Sequence, residues 1–184
     1  MTHEYAEPDP ELIHETLPAG PARTAVFRRT YDAPVEDVWD ACTDPERLAR
    51  WYVPVTGDFR LGGHISQAMM GSGVIAECEA PRRLVLTLEG GVDQITLELE
   101  GRTDGRTNLV LQHATTLDTH EINGERYDAI FCMGGGYYPR LQALDSHLKG
   151  TLPADYDTLT FFQREDMRPA IERGSAAMAA LLAG

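Results

Sequence analysis

Residues 57–113 alternate apolar and polar side chains with a period of two, which is the pattern of half-buried β-strands. The alternation is clearest over residues 84–88 and 95–99. Short turns that contain glycine, such as Gly90-Gly91, separate one alternating run from the next. Strands of this length joined by short turns predict an antiparallel meander of six or seven strands.

Two helical patterns precede most of the strands. After a predicted strand over residues 23–31, apolar residues recur from position 35 to position 42 at the spacing i, i+3, i+4, i+7, which indicates an amphipathic helix. A second, shorter helix follows at once. Its cap is either Asp44, with Pro45 in the first position, or Thr43, with Glu46 as its partner in a capping box.

A long helix is predicted near residue 140. Tyr137 and Leu141 begin an apolar stripe that continues to position 148, with Pro139 in the first turn and Gly150 as the stop. The preceding residues 115–135 show no regular pattern. Residues 134–136 are three consecutive glycines, which we interpret as a tight bend into the helix.

Three segments follow from these patterns. Residues 1–22 hold five acidic residues and no Lys or Arg, together with four prolines, and we expect a solvated acidic arm. Residues 23–150 form the domain itself. Residues 151–184 form a helical extension whose many large apolar side chains need a cover, either their own domain or a second subunit. We therefore predict a homodimer.

The charge and the cysteines exclude several classes of protein. A net charge of −13 opposes binding to nucleic acid or to an anionic membrane surface, because both depend on Lys and Arg. No apolar run approaches the roughly 20 residues that span a bilayer. The three cysteines form no CxxC pair, and the first residues do not resemble a signal peptide, so a cytoplasmic location is expected.

Several segments resemble a known family. They are APVEDVWDACTDPERLARWYVPV (residues 33–55), DFRLGG (58–63), ECEAPRRLVLTL (77–88) and GRTNLVLQHA (105–114). Together they closely resemble the homologues of the activator of the 90-kDa heat-shock protein ATPase, which belong to the SRPBCC superfamily. The resemblance covers residues 23–149 and implies an α+β helix-grip (START-like) fold, in which a curved antiparallel β-sheet wraps around a long C-terminal helix, with two short helices after the first strand.

The resemblance leaves three functions open. The first, which we favour, is binding of a small hydrophobic molecule in the cavity between the sheet and the long helix. The second is interaction with a chaperone, as the family name implies. The third is an enzyme similar to the polyketide cyclases and aromatases of the same superfamily, which would need two polar groups converging in the cavity.

The residues themselves indicate binding rather than catalysis. No two of the six histidines lie within five residues of each other, and no nucleophile motif occurs, so we expect no metal site, no cofactor and no catalytic residue. His113 follows Leu109 and Leu111 at strand parity and therefore faces the apolar side. It is interpreted as a satisfied core histidine, a polar anchor for a ligand or a general base. The candidate pocket residues are Trp51, Tyr52, Met69, His113, Tyr137 and Leu141.

Overall fold

Ten strands and four α-helices make up the part of the chain that the structure describes, residues 4–184 of a computed structural model. In chain order the elements are β1 (Asp9–Leu17), β2 (Gly20–Tyr31), α1 (Val35–Thr43), α2 (Pro45–Trp51), β3 (Val55–Gly57), β4 (His64–Gln67), β5 (Gly71–Glu79), β6 (Arg83–Leu88), β7 (Asp93–Gly101), β8 (Thr107–Thr115), β9 (Thr119–Ile122), β10 (Glu125–Asp128), α3 (Ala129–Leu148) and α4 (Arg168–Ala183).

Eight strands form one antiparallel sheet in the order β1-β2-β8-β7-β6-β5-β4-β3. Strands β3 to β8 follow one another in both sequence and space, which confirms the predicted meander. The long helix α3 lies across the sheet, and the Tyr31 hydroxyl of β2 donates a hydrogen bond to the Leu141 carbonyl of α3 (3.1 Å). The helix-grip fold expected from the resemblance is therefore present, with two short helices after β2.

The turn between α1 and α2 resolves the choice of cap. Asp44 lies at the N-cap of α2, where its Oδ1 accepts hydrogen bonds from the backbone N–H groups of Glu46 (2.8 Å) and Arg47 (3.1 Å). The hydroxyl of Thr43 instead donates to the carbonyl of Trp39 within α1. Asp44 therefore begins α2 and brings Trp51, at its last position, into the core.

The expectation of a solvated arm over residues 1–22 is wrong for residues 9–17, in β1, and for residues 20–22, in β2, and residues 1–3 lie outside the described part. Residues 9–17 form β1, which pairs in register with β2 and adds a strand to the expected count. The acidic side chains that indicated solvent exposure contact β2, as Glu11 does with Arg28 (2.6 Å) and Glu15 with Thr24. Acids and prolines are common on edge strands, where they oppose further pairing.

Helix α3 begins eight residues earlier than the sequence indicates. Residues 119–128, expected to be irregular, form the hairpin β9–β10, and Asp128 at its end caps α3 by accepting a hydrogen bond from the N–H of Ile130 (2.8 Å). Pro139 consequently lies in the middle of the helix rather than in its first turn. The apolar stripe beginning at Tyr137 identified only the second half of α3.

The three glycines at positions 134–136 lie inside α3, so the interpretation as a tight bend is wrong. Gly134 faces Gly174 of α4, and a Cβ built on Gly134 would lie 2.1 Å from the carbonyl oxygen of Gly174. The absence of a side chain therefore lets the two helix backbones touch. Gly134 and Gly135 therefore serve the packing of α3 against α4.

The extension after Gly150 packs on its own domain. Helix α4 crosses α3 and also contacts β1. The large side chains of Tyr156, Phe161 and Met178 are buried within the chain, at 6%, 4% and 0% exposure. The helical tail is thus present, and between Gly150 and α4 it contains one 3₁₀ turn at Phe161–Gln163.

Candidate ligand-binding site

A cavity of about 90 Å³ lies between the sheet and the second half of α3. Its floor consists of aliphatic side chains from three adjacent strands, β6, β7 and β8. These are Leu84, Leu86, Ile95, Leu97, Leu109 and Leu111. The alternation of apolar residues predicted this floor, because residues two apart on a strand face the same side of the sheet.

The strand register brings the floor residues together. Leu97 of β7 is the Cα partner of Leu111 on β8 and of Leu84 on β6, so three leucines form one row across the sheet. Ile95 forms the next row with Leu86 and, on β8, with His113. His113 therefore lies in the same row as two floor residues and adds a polar side chain beside the apolar floor.

Four of the six candidate pocket residues line the cavity. Trp51 and Tyr52 lie at the end of α2, and Tyr137 and Leu141 lie one turn apart on α3. The indole N–H of Trp51 donates to the carbonyl of Ala41 (2.8 Å), which holds the ring against α1. The structure thus places these four residues in the cavity wall, and their use in binding stays a prediction.

His113 lies behind Tyr137 in a buried hydrogen-bonded group. The Tyr137 hydroxyl lies 2.9 Å from His113 Nδ1, and Asp93 Oδ1 lies 3.3 Å from His113 Nε2. Because the Asp93 carboxylate only accepts, Nε2 carries the proton of the neutral ring and Nδ1 accepts from Tyr137. His113 therefore contacts the cavity through Tyr137 and has the carboxylate partner that a buried histidine needs.

Electrostatics sets the protonation of two members of this group, Asp93 and Tyr137. Burial raises the pKa of Asp93, but hydrogen bonds from His113 and Thr115 outweigh burial and hold the pKa below its ordinary value of 3.8. Burial also raises the pKa of Tyr137 well above its ordinary value of 10.0. Asp93 is therefore ionised and Tyr137 is protonated, which favours a fixed hydrogen-bonding role over proton transfer.

Met69 does not lie in the cavity wall. Strand β4 ends at Gln67, two residues before Met69, so the alternation that predicted an inward-facing Met69 does not extend to it. Met69 lies in the β4–β5 turn, with 58% of its surface exposed. Its Sδ lies 3.2 Å from Nη2 of Arg140 at the edge of the site. Met69 thus lies outside the cavity wall and contacts Arg140, which does line the cavity.

Two polar residues of the wall, Gln67 and Arg140, were missed by the sequence analysis. Both occupy positions that the apolar patterns mark as inward-facing. Gln67 shares strand parity with Ile65, and Arg140 comes three residues after Tyr137 on the α3 stripe. The available signal was a polar residue at an inward-facing position of an otherwise apolar pattern. A pattern defined by apolar residues alone does not include such a residue.

Within residues 4–184, no group of three or more His, Cys, Asp or Glu side chains is placed to hold a metal ion. None of the helices in the described part of the chain is long and apolar enough to cross a membrane.

Comparison with protein families identifies one match. A family model described as Activator of Hsp90 ATPase homolog 1-like protein matches residues 32–149, which include the cavity floor, α2 and α3. The match omits β1, β2 and α4. Among curated proteins, no match was found.

Solved structures show similarity over a longer range. CalU16 from Micromonospora echinospora is 32% identical in its crystal structure, with 96% of this chain and 99% of that chain covered at a TM-score of 0.76. Its solution NMR structure is 33% identical, with coverage of 99% and 98% and a TM-score of 0.77. The similarity to CalU16 therefore includes β1 and α4.

A more distant structure shares the fold alone. An HSP90 activator from Plasmodium falciparum is 22% identical, with 68% of this chain and 96% of that chain covered at a TM-score of 0.58.

Proposed function

The chain belongs to the Activator of Hsp90 ATPase homolog 1-like family, and from that premise we propose that it binds a small, largely apolar molecule in the cavity between the sheet and α3. The observation that carries the proposal is the cavity itself. Protein interiors are close-packed and contain few voids larger than a water molecule. A void of about 90 Å³ with aliphatic and aromatic walls is about three times the volume that one water occupies in the liquid.

Burial of apolar surface supplies the binding free energy. At roughly 0.8 kcal/mol per buried carbon, the six carbons of 1-hexanol contribute about 5 kcal/mol, which corresponds to a dissociation constant of several hundred micromolar. The cavity is smaller than the cavity of about 150 Å³ that holds benzene in an engineered protein. A ligand of this size therefore requires the β4–β5 turn or nearby side chains to move.

The test is titration of 1-hexanol, followed by calorimetry or ligand-observed NMR, into the wild type and two variants of β8. Leu111→Phe fills the cavity and is expected to weaken binding at least about tenfold. Val110→Phe is the matched control, because Val110 is the next residue and faces the other side of the strand. Equal binding to all three proteins, or none to the wild type, would contradict the proposal.

Native mass spectrometry of the protein as purified from cells identifies the natural ligand. A retained molecule adds its mass to the 20.3 kDa chain. The added mass is expected to be absent from Leu111→Phe and present in Val110→Phe. If the added mass were absent from both variants alike, the retained molecule would not be bound in the cavity.

A second candidate function is interaction with a chaperone ATPase. It is supported by the family description and by the fold that the chain shares with an HSP90 activator. The direct measurement is the rate of ATP hydrolysis by purified Hsp90 with and without an equimolar amount of this chain. A rate that does not change at low or at physiological salt would reject this candidate.

Catalysis of the polyketide cyclase or aromatase type is the third candidate, and the site gives it less support. Tyr137 is the polar group that contacts the cavity from the Asp93–His113 side, and its raised pKa opposes proton release near neutral pH. A hydrogen-bonding role for Tyr137 fits ligand orientation better than it fits general base catalysis.

The predicted homodimer now has a weaker basis. Of the large apolar side chains of the tail, four are buried within the same chain (Tyr156, Phe161, Met167 and Met178), and Leu159, Phe162 and Leu181 are exposed. The homodimer and the cytoplasmic location both stay predictions. Light scattering tests the homodimer, because a monomer has the 20.3 kDa mass of one chain.

A further inference from the structure

Arg140 is a buried cation at the wall of an apolar cavity, with 8% of its surface exposed. Its guanidinium carbon lies 4.6 Å from the centre of the Phe161 ring and 5.5 Å from the centre of the Tyr52 ring. The faces of aromatic rings attract cations, so these two rings hold the guanidinium in place. They do not neutralise its charge.

The hydrogen-bonding capacity of Arg140 is largely unused. One Nη donates to the carbonyl of Gly136 (2.9 Å), and the other lies 3.2 Å from Sδ of Met69, a weak acceptor. The Nε of Arg140 is buried and has no hydrogen-bond partner among residues 4–184. A buried donor without a partner is costly, because it gave up its hydrogen bonds to water on folding.

A second buried arginine shows what a paired guanidinium looks like in this protein. Arg29 is equally buried, at 8% exposure, and its Nε also has no hydrogen-bond partner among residues 4–184, but its Nη2 lies 3.6 Å from Oδ2 of Asp145. Arg140 has no carboxylate at ion-pair distance anywhere in the described part of the chain. Since buried charges in proteins are normally paired, the position opposite Arg140 is one that an anion from outside can fill.

Other unpaired polar atoms lie near the same charge. Gln67 is 5% exposed, lines the cavity with Arg140, and has no partner for its Nε2 within residues 4–184. The buried hydroxyl of Tyr156 is also unpaired there. Burial raises the pKa of Tyr156 to about 12, against the opposing charges of Arg140 and Arg164.

We propose that Arg140 is the counter-ion for an anionic head group, so that the ligand is an amphipathic monocarboxylate whose apolar part occupies the cavity and whose carboxylate binds the guanidinium. This proposal rests on the proposed function, since it takes the cavity to be the ligand site. A carboxylate accepts hydrogen bonds only, and it matches the unused N–H donors of Arg140 and Gln67.

The β4–β5 turn is the element that the carboxylate displaces. Met69 and Met70 lie in this turn, with the Sδ of Met69 against Arg140 and the Sδ of Met70 3.8 Å from the hydroxyl of Tyr52. Two weak sulfur acceptors thus occupy the positions in front of a cation and a phenol. Methionine is flexible and gives way readily, so a strong acceptor replaces the thioether at Arg140 when the acid binds.

The net charge of −13 disfavours the binding of small anions. The protein as a whole repels an anion, so attraction to Arg140 alone does not retain acetate or chloride at physiological salt. The apolar chain of the ligand supplies the remaining affinity. The site is therefore specific for the combination of an apolar body and one negative charge.

Octanoate and 1-octanol are the probes, because they have the same chain length and differ in charge at pH 7. Both are titrated into the wild type, Arg140→Met and Arg50→Met. Arg50→Met is the matched control, since Arg50 is exposed on α2 next to Trp51 and its loss changes the net charge equally. We expect Arg140→Met to weaken octanoate binding by about tenfold to a hundredfold, with octanol binding unchanged, and Arg50→Met to leave both within about twofold.

The outcomes separate this proposal from the one on which it rests. If the wild type binds octanol but Arg140→Met binds octanoate as well as the wild type does, the counter-ion proposal is wrong and cavity binding stands. If the wild type binds neither probe, cavity binding fails and the counter-ion proposal fails with it. An equal loss of octanoate in Arg50→Met would assign the effect to overall charge and would overturn the role of Arg140.

The melting temperature of the ligand-free protein gives an independent readout. Removal of an unpaired buried charge is expected to raise the melting temperature of Arg140→Met above that of the wild type. Saturating octanoate is expected to raise the melting temperature of the wild type and not that of Arg140→Met. A lower melting temperature in Arg140→Met together with unchanged octanoate affinity would make Arg140 a structural residue and overturn the proposal.

Discussion

The hydroxyl of Tyr137 on α3 lies 2.9 Å from Nδ1 of His113 on β8, and this contact joins the long helix to the sheet beside the cavity. Both residues are buried, at 6% and 5% exposure. The other ring nitrogen of His113 faces Asp93. The orientation of the Tyr137 ring in the cavity wall therefore depends on a polar group that spans two elements of the core.

Replacement of Tyr137 by Phe is expected to lower the free energy of unfolding by about 1–3 kcal/mol, because Nδ1 of the buried His113 loses its partner. The measurement is urea denaturation at pH 7. Tyr127→Phe is the control, since the Tyr127 hydroxyl bonds Glu125 at an exposed position, and it should change stability by no more than about 0.5 kcal/mol. Equal effects of the two variants would contradict the structural role assigned to the contact.

Replacement of Asp93 by Asn is expected to reduce stability at pH 7 and to have a smaller effect in acid. Folding holds the pKa of Asp93 below its ordinary value of 3.8, so its ionised form favours the folded state. That contribution is complete above pH 3.8 and is lost as the pH falls through the lower folded-state pKa. The difference in melting temperature between wild type and variant should therefore shrink below about pH 4. A difference independent of pH would show that ionisation of Asp93 is not what stabilises the group.

Replacement of Gly134 by Ala is expected to destabilise the protein by about 1–3 kcal/mol or more, because the new Cβ would meet the backbone of Gly174 at 2.1 Å. Gly136→Ala is the control on the same helix. A Cβ there meets only the end of the Arg140 side chain, at 3.2 Å, and alanine favours the helix by up to about 1 kcal/mol. Chemical denaturation compares the two. A Gly134→Ala variant as stable as the wild type would mean that α3 and α4 separate at little cost.

Replacement of Met178 by Ala is expected to cost about 2–5 kcal/mol, since this α4 side chain is fully buried. Leu181→Ala on the same helix is the control, and it should cost less because Leu181 is 37% exposed. Denaturation is measured together with mass by light scattering. A loss of stability at unchanged mass supports packing of α4 on its own domain. A fall in mass from dimer to monomer would support the homodimer and place α4 at its interface.

Local sequence patterns predicted much of the fold but a smaller part of the candidate site. Alternation predicted the floor of the cavity, and helical spacing predicted the aromatic wall at Trp51, Tyr52 and Tyr137. The same rule failed at Met69, because alternation does not reveal where a strand ends. It also missed Arg140, because a single charged residue in an apolar stripe resembles a surface residue until its neighbours are known.

The sequence by itself determined the meander, the two short helices and the inward direction of His113, since each depends on residues close together in the chain. Only the tertiary structure decided that residues 9–17 form an edge strand, because their hydrogen-bond partners come from β2. It also decided the role of Gly134, whose meaning depends on Gly174 forty residues later. The unpaired charge of Arg140 is likewise a feature that only the tertiary structure decided. It reflects the absence of a carboxylate among neighbours from α2, the β4–β5 turn and the tail, which only the folded chain brings together.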